Sequence, residues 1–219
     1  IPKFREGIKF DNHRKVEGKI KSVTILRNQA NQYFVSVLVE RDIAKLATKN
    51  TKIGIDLGIS NLATCSDGIV YPNIRSYKKL EAKISRLQRS LSRKIRGSNS
   101  YEQTRLKLAK LHLKVSNIRT NHLHQITSKL VNENQVICIE DLNVTGMMKN
   151  NKLAKSLMDV SFYEFRRQLT YKCLWYRRIL VVIDRFYPSS KLCNQCGYKK
   201  KDLKLSDRIF ICTNCAYTE

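Results

Sequence analysis

The sequence predicts an α/β domain joined to a small metal-bound module, and three observations carry this prediction. Short runs of β-branched and apolar residues alternate with long helical patterns, which is typical of an α/β architecture. Two CxxC pairs near the end of the chain have the spacing of a zinc ribbon. The 219 residues include 42 Lys and Arg but only 18 Asp and Glu, for a net charge of +24. This excess of positive charge favours a polyanion, in particular nucleic acid, as the partner.

The first part of the chain, residues 1–49, is expected to be rich in β-strand. Its 23–26 and 33–39 segments consist largely of β-branched and aromatic residues, as strands do. The 27–31 segment between them has the polar composition of a turn. These features predict two strands joined by a turn.

The central part of the chain contains short apolar runs with the length and composition of buried strands. They lie at residues 53–58, 62–65, 69–71, 136–139 and 180–183. Asp67 and Gly68 separate the second run from the third, and this pair supplies the positive φ angles of a tight hairpin turn. Strands that alternate with helices in this way predict an α/β domain.

Residues 75–130 have a helical pattern, in which leucine and isoleucine recur at spacings of three and four on either side of a polar break at 97–100. This pattern predicts two long amphipathic helices in an antiparallel hairpin. The segment holds 15 Lys and Arg residues but only two acids, Glu81 and Glu102. Because the bias is so one-sided, we expect a surface that faces phosphate groups. The residues expected to contact nucleic acid are Lys83, Arg86, Arg89, Arg93, Lys94, Lys107, Lys110 and Lys114.

A further helix is expected to begin at Ser161. Ser161 and Glu164 have the spacing of a capping box, in which the two side chains satisfy free backbone amides at a helix start. Apolar residues at helical spacing continue from Phe162 to Tyr176, and they predict the buried face of this helix.

Four of the seven cysteines form two CxxC pairs, with fifteen residues between the pairs. Each pair bends the backbone so that both sulfurs face one ion, and four thiolates at this spacing make a tetrahedral zinc site. The predicted zinc ligands are Cys193, Cys196, Cys212 and Cys215. The other three cysteines lie in apolar patterns and are expected to be core residues: Cys65, Cys138 and Cys173.

Two acids, Asp56 and Glu140, stand at the ends of predicted strands. Burial of an isolated carboxylate costs free energy, so an acid at a strand end is solvated, paired or bound to a cation. Either acid alone fits an ordinary turn residue. Two such acids in one sheet are what a magnesium site needs, and paired Mg²⁺ ions about 4 Å apart assist phosphodiester cleavage. Asp141 and Asp184 are weaker candidates, because Asp141 is expected on the opposite face and Asp184 fits a structural role.

Three motifs follow one another along the chain. They are Gly54-Ile55-Asp56-Leu57-Gly58-Ile59, then Ile139-Glu140-Asp141-Leu142-Asn143-Val144, then Tyr187-Pro188-Ser189-Ser190-Lys191 before the two CxxC pairs. In this order they resemble the TnpB (OrfB) proteins of bacterial and archaeal insertion sequences, which are relatives of the type V CRISPR effectors. The resemblance covers nearly the whole chain. Each motif alone is less specific, since Gly-Ile-Asp-Leu-Gly also occurs in actin-like ATPases.

The resemblance implies an RNase H-like RuvC nuclease fold, a mixed sheet with helices, in a protein that a guide RNA directs to cut DNA. Asp56 and Glu140 match the first two catalytic acids, which would hold Mg²⁺, and the four cysteines match the zinc ribbon. Residues 1–49 correspond to part of a β-barrel wedge domain that grips guide RNA and target. Residues 50–190 correspond to the nuclease domain, with a basic helical hairpin at 75–130 that lies along the guide–target heteroduplex. Residues 191–219 correspond to the ribbon.

Two departures from the family pattern affect these expectations. The family's third acid is the later aspartate of an Asp-Arg-Asp-x-Asn-Ala-Ala stretch after the fourth cysteine, and the chain ends at Glu219 before it. We therefore expect a fragment, cut at both ends, that is catalytically inactive or nearly so although its parent is a nuclease. Ala216 replaces the glycine usual after the fourth ligand, so modest strain from a positive φ is expected there.

A second hypothesis is a nucleic-acid-binding protein without cleavage, either a degenerate copy or a guided repressor that keeps the fold, the charge and the zinc. The intact Asp56 and Glu140 argue against long decay of the site. An actin-like ATPase would need further glycine-rich nucleotide motifs, and none is visible among the eight glycines. Under the leading hypothesis the partners are DNA and guide RNA, with no membrane, in the prokaryotic cytoplasm at the nucleoid.

Overall fold

The computed structural model of the protein describes residues 6–12, 15–188, 191–200, 202 and 209–218. Ser189 and Ser190 of the third sequence motif lie outside the described residues. The elements in chain order are β1 (Lys19–Arg27), β2 (Tyr33–Glu40), β3 (Lys52–Leu57), β4 (Asn61–Cys65), β5 (Val70–Pro72), α1 (Ser76–Ser92), α2 (Asn99–Glu133), β6 (Val136–Glu140), α3 (Val144–Met148), α4 (Asn151–Val160), α5 (Phe162–Tyr176) and β7 (Ile179–Ile183).

Five of the strands form one mixed sheet in the order β5-β4-β3-β6-β7. Within this sheet, β3, β4 and β5 form an antiparallel meander, because β3 pairs with β4 and β4 pairs with β5 through tight turns. β3, β6 and β7 run parallel to one another, and helices connect them, as parallel neighbours require. The carboxyl ends of these three strands therefore meet at one edge of the sheet.

One face of the sheet packs against helices. Ile53, Ile55 and Leu57 are buried on alternate positions of β3, while the residues between them are more exposed. The buried side chains meet the apolar stripe of the carboxyl half of α2, together with α4 and α5, in a single hydrophobic cluster. The alternation along β3 leaves its intervening side chains, including that of Asp56, on the other face.

Most of the predicted elements are confirmed. All seven predicted strand segments are present, and α1 and α2 pack together as a helical hairpin. Asp67 and Gly68 form the β4–β5 turn as expected, but of these two residues only Gly68 has the predicted positive φ, at +85°. Cys65 and Cys173 are buried, and burial raises the pKa of each thiol to about 11. These two cysteines are therefore unreactive core residues at neutral pH.

The predicted capping box at Ser161 is wrong. Ser161 has a left-handed backbone with φ 61°, and its hydroxyl makes no hydrogen bond to a backbone amide of α5. It donates instead to the Met158 carbonyl at 3.0 Å and accepts a hydrogen bond from Arg119 at 3.0 Å. Glu164 pairs with Arg167 rather than reaching back to the helix start.

The sequence patterns do not predict α3 or α4, and α4 carries a buried acid that caps a different helix. Asp159 accepts hydrogen bonds from the Ser76 hydroxyl at 2.8 Å and from the Tyr77 backbone amide at 3.0 Å. Arg119 of α2 pairs with the same carboxylate at 3.3 Å. A carboxylate at a helix start satisfies free amides and complements the helix dipole. Asp159 therefore ties α1, α2 and α4 together.

Arg178 anchors the segment that links β2 to β3. It is 6% exposed and donates hydrogen bonds to the carbonyls of Val131 at 3.0 Å and Ala47 at 2.9 Å. It also donates to the Gln135 side-chain oxygen at 2.7 Å, which accepts in turn from the Lys49 backbone amide. These contacts fix Ala47 and Lys49 at the edge of the sheet where β6 and β7 begin.

Lys172 on α5 is a buried amine with neutral hydrogen-bond acceptors. Only 6% of the residue is exposed, and its ammonium donates to the hydroxyls of Thr127 at 2.7 Å and Ser128 at 2.9 Å and to the His124 carbonyl at 3.1 Å. Burial lowers the pKa of Lys172 to about 8, because the charged form loses hydration.

The pH dependence of stability tests this assignment. In the unfolded chain Lys172 holds its proton up to about pH 10.4, whereas in the folded chain it loses the proton near pH 8. The unfolded state therefore binds more protons between these values, so stability should rise with pH across this window. We expect the melting temperature of the wild type, relative to that of Lys172→Met, to rise between pH 7.5 and 10. If the melting temperatures of the two proteins changed with pH in the same way, the lowered pKa of Lys172 would be contradicted.

No helix in the described part of the chain has the length and apolar character needed to cross a membrane.

Candidate functional site

The structure brings Asp56 and Glu140 together. In the parallel ladder of β3 and β6, Ile55 lies opposite Ile139, and the next residue on each strand is one of the two acids. Adjacent strands lie about 4.8 Å apart, and in-register neighbours point to the same face of a sheet. The two carboxylates therefore stand side by side at the carboxyl edge of the sheet, on the face away from the helices.

The electrostatics of Asp56 reflect this pairing. The residue is open to solvent on one side, yet the protein around its carboxylate removes part of its hydration. This desolvation is the largest cause that raises the pKa of Asp56, and the negative charge of Glu140 raises it further. A hydrogen bond from the Leu57 backbone amide acts in the opposite direction. Two carboxylates that repel each other at short range are the arrangement that a divalent cation stabilises.

The two weaker acid candidates have structural partners. Asp141 accepts hydrogen bonds from Arg166 at 2.5 Å and from Arg185 at 2.6 Å, and these arginines hold the pKa of Asp141 below its usual range. Asp184 accepts from the Phe186 backbone amide at 2.8 Å in a turn that follows β7. Asp184 thus stabilises the turn after β7, which agrees with the structural role expected for it.

Glu140 faces two neighbouring cavities at the carboxyl edge of the sheet. One lies beneath the start of α5 and is lined also by Tyr163, Arg166 and Arg185. The other lies along the chain that leaves β7 and is lined also by Asp141 and Arg185. Glu140 therefore lines cavities that also contain two arginines, which no sequence motif singled out as a site, whereas Asp56 lines neither of these two cavities.

The four predicted metal ligands meet at one point. The sulfurs of Cys193, Cys196, Cys212 and Cys215 all lie within 4.8 Å of one another. The Cys193–Cys215 and Cys196–Cys212 sulfur pairs are both 3.6 Å apart. A tetrahedral site with Zn–S bonds of about 2.3 Å separates its sulfurs by about 3.8 Å. The cysteines therefore fit a metal ion with four thiolate ligands, and the donor set suits zinc.

Each CxxC pair is closed by the same backbone turn. Gly197 donates its backbone amide to the Cys193 carbonyl at 2.9 Å, and Ala216 donates to the Cys212 carbonyl at 3.0 Å. Both residues have a positive φ, +70° for Gly197 and +59° for Ala216. The positive φ expected at Ala216 is therefore confirmed, and because a side chain in this conformation costs roughly 1–2 kcal/mol, strain at Ala216 stays a prediction.

Relief of this strain is a testable effect. We expect Ala216→Gly to stabilise the ribbon by about 1 kcal/mol, after the greater freedom of glycine in the unfolded chain is subtracted. Zinc transfer to a chromogenic chelator would then be slower than in the wild type. Gly197→Ala is the matched control, because Gly197 has the same conformation and open space around it. It should release zinc faster, and equal rates in the three proteins would exclude strain at these turns.

Most of the basic residues expected to contact nucleic acid are accessible on the helical hairpin. Lys83, Arg86, Arg89, Arg93, Lys107, Lys110 and Lys114 are exposed. Lys94 is half-buried and donates hydrogen bonds to the Ser100 carbonyl at 3.0 Å and the Thr104 hydroxyl at 2.6 Å. Lys94 therefore braces the turn between α1 and α2, a role that the charge pattern did not indicate. Contact of these residues with nucleic acid stays a prediction.

Fold and site together define a basic α/β protein with four cysteines that are placed to hold a metal ion. A family model for OrfB_IS605, described as "Probable transposase", matches residues 34–151, and a model described as "Cas12f1-like, TNB domain" matches residues 162–219. The first match covers more than half of the chain, so the protein belongs to the OrfB_IS605 transposase family. The resemblance to TnpB (OrfB) proteins is thereby confirmed.

Curated relatives carry related names. A "Putative RNA-guided DNA endonuclease" of Streptomyces pristinaespiralis is 41% identical over 191 residues, which are 87% of this chain and 48% of the relative. "Putative RNA-guided DNA endonuclease InsQ" of Escherichia coli (strain K12) is 33% identical over 227 residues, 96% of this chain and 56% of the relative. "TnpB-like protein L79" of Acanthamoeba polyphaga mimivirus is 29% identical over 216 residues, 89% of this chain and 40% of the relative. The chain thus spans about half the length of these relatives.

A solved structure has a similar fold. The chain in the "Cryo-EM structure of the Cas12f1-sgRNA-target DNA complex" superposes with a TM-score of 0.52 at 14% sequence identity. The match covers 90% of this chain and 52% of that chain. At this identity the similarity concerns the fold, a mixed sheet with helices, and it agrees with the α/β class expected from the sequence.

Proposed function

We propose that this chain is the nuclease portion of a transposon-associated, RNA-guided DNA endonuclease that hydrolyses phosphodiester bonds with a divalent metal ion. The observation that carries the proposal is the pair formed by Asp56 and Glu140 at the carboxyl ends of adjacent parallel strands, in a member of the OrfB_IS605 family. The names of the relatives support the substrate class and the use of a guide.

The topology supports an RNase H-like, RuvC-type fold for residues 50–190. An antiparallel meander joined to three parallel strands places Asp56 on the central strand and Glu140 on its parallel neighbour. Residues 1–49 would then belong to a wedge domain, and β1 and β2 form a hairpin consistent with it. Residues 191–219 would form the zinc ribbon.

Asp56 and Glu140 would hold Mg²⁺, because hard cations prefer carboxylate oxygens. The bound ion would activate the attacking water and stabilise charge on the phosphate. The protein's own contribution is the fixed position of the two acids, since the parallel ladder holds their backbones in register. The raised pKa of Asp56 is consistent with a cation site, because a bound cation would offset the repulsion between the two carboxylates.

The exposed basic face of the helical hairpin would bind the backbone of the guide–target duplex. Its lysines and arginines extend along α1 and α2, and such charge favours phosphate without reading sequence. The four cysteines would hold one structural Zn²⁺ and so form a second compact unit, the ribbon.

Purification without nuclease treatment, followed by sequencing of the co-purified RNA, tests guided binding. A defined RNA from one transposon end is the expected result. A matched variant with Lys107, Lys110 and Lys114 changed to Gln should recover less of this RNA, because three phosphate contacts are removed. Random cellular RNA would refute the guide and leave only general affinity for polyanions.

Cleavage is tested with that RNA, a matching DNA target and Mg²⁺. The 219-residue chain should be compared with any longer natural form of the protein that contains it. Metal-dependent cutting by either form supports the nuclease. Guided binding without cutting by any form, at any metal concentration, would instead establish the alternative, a binding protein that does not cleave.

A further inference from the structure

Two arginines from distant parts of the chain converge beside Glu140. Arg166 lies on the first turns of α5, and Arg185 follows the end of β7. Both side chains bind Asp141, the residue after Glu140, and both line the cavity that Glu140 faces. The family motifs quoted above include Asp141, but they give no role to these two guanidinium groups.

The geometry holds the two guanidinium groups as a unit. Arg166 donates from Nη1 to Oδ1 of Asp141 at 2.5 Å. Arg185 donates from Nη2 at 2.6 Å and from Nε at 3.2 Å to the other oxygen, Oδ2. A guanidinium has five N–H donors, so each arginine keeps donors that these bonds do not use. The arginine side chains are 44% and 42% exposed, against 26% for Asp141, so the unused donors can reach a ligand.

The charges at this edge of the sheet indicate what two arginines could do there. Asp56 and Glu140 attract a cation, but they repel the phosphate group of a nucleic-acid strand. Arg166, Arg185 and Asp141 together add a net positive charge to the cavities that Glu140 lines. Guanidinium groups bind phosphate oxygens through paired hydrogen bonds. The site therefore holds separate groups for the cation and for the phosphate.

We propose that Arg166 and Arg185, held together by Asp141, form a clamp that binds a phosphate group of the nucleic-acid strand next to the bond to be cut. This inference rests on the proposed nuclease function. The two arginines contact the strand, whereas Asp141 is a positioning residue that acts through them. Asp141 fixes two flexible side chains before the ligand arrives, which reduces the entropy lost on binding.

Chemical footprinting tests contact without any need for cleavage. The chain is treated with phenylglyoxal, which modifies arginine, in the presence of Ca²⁺ with and without a 20-nucleotide DNA strand, and each site is quantified by mass spectrometry. We expect the strand to protect Arg166 and Arg185. Arg167 is the matched control, because it neighbours Arg166 on α5 but pairs with Glu164. Equal protection of all three arginines, or of none, would overturn the clamp.

Asp141 is tested in the same assay. In Asp141→Asn both arginines should react faster without DNA and should be protected less by DNA, whereas Asp141→Glu should restore protection. A merely structural role predicts loss of thermal stability with protection unchanged, and that result would remove Asp141 from the mechanism. Circular dichroism of each variant confirms that the fold is retained.

Cleavage kinetics give the second readout, in whichever form of the protein cuts DNA. Arg166→Gln and Arg185→Gln should each slow the cleavage step about 10- to 100-fold at saturating DNA, below the loss seen when an oxyanion donor is removed. Arg167→Gln should match the wild type. Mn²⁺ binding to the 219-residue chain, measured by electron paramagnetic resonance, distinguishes failure of the acid site from failure of the arginine clamp. Absence of Mn²⁺ binding refutes the acid site, whereas normal Mn²⁺ binding with unchanged kinetics in both arginine variants refutes the clamp alone.

Discussion

Replacement of Asp56 by asparagine is expected to lower metal-dependent DNA cleavage by at least about 100-fold, because a direct metal ligand is worth more than the 10- to 100-fold typical of an outer-shell partner. Asparagine has nearly the same shape but carries no charge. The side chain lies on the open face of the sheet, so the substitution removes charge from the site without a cavity in the core. Glu140→Gln should have a comparable effect.

Two measurements make the Asp56 result specific. Mn²⁺ affinity of the 219-residue chain should fall in Asp56→Asn and in Glu140→Gln, and binding of guide RNA should be unchanged in both. Asp184→Asn is the matched control, because its carboxylate accepts a backbone hydrogen bond after β7 and should leave metal affinity intact. Wild-type cleavage by Asp56→Asn would exclude the proposed role of the acid pair.

Removal of the ribbon metal is expected to unfold the described ribbon residues, 191–200 and 209–218, while the five-stranded sheet stays folded. Structural zinc contributes about 10–16 kcal/mol in small zinc modules, which is comparable to the whole stability of a typical domain, about 5–15 kcal/mol. Among its described residues the ribbon has two isolated backbone bridges, between Leu192 and Lys199 and between Ile211 and Thr218. The main hydrophobic cluster, in contrast, contains no ribbon residue among those described.

Hydrogen exchange measured by mass spectrometry checks this result. A chelator, or Cys212→Ser, should abolish protection across the ribbon and remove one zinc ion per chain. Protection of β3 and β6 should persist. Cys138→Ser is the control, because Cys138 lies on β6 away from the four sulfurs and should keep the zinc. A single transition in which ribbon and sheet unfold together would show that the two units are not independent.

The features that sequence alone predicted are those set by local rules. β-branched runs gave the strands, helical periodicity gave α1 and α2, and the CxxC spacing gave the four ligands, because each depends on residues close together in the chain. Asp56 and Glu140 are 84 positions apart. They were nevertheless recognised, because both stand at the ends of apolar runs, and strand ends meet when strands pair in parallel.

The side-chain pairs that the sequence did not predict join residues far apart in the chain. Asp141 meets Arg166 across 25 positions and Arg185 across 44, and Asp159 meets Ser76 across 83. In a chain with 42 basic residues, charge pattern cannot indicate which arginine pairs with which acid. The error at Ser161 has the same origin, since Arg119, 42 positions away, binds the hydroxyl that the local motif assigned to capping.

The hydrogen bond from Arg178 to Ala47 limits how far the β1–β2 hairpin can lie from the five-stranded sheet. β2 ends at Glu40, and Arg178 holds Ala47. The six residues between them allow Glu40 and Ala47 to lie at most about 25 Å apart. The fixed point is at the edge where β6 and β7 begin, and the acids are at the opposite edge of the sheet. The last residue of β2 therefore stays within this distance of the edge opposite the acids, which limits where the hairpin can hold any ligand relative to them.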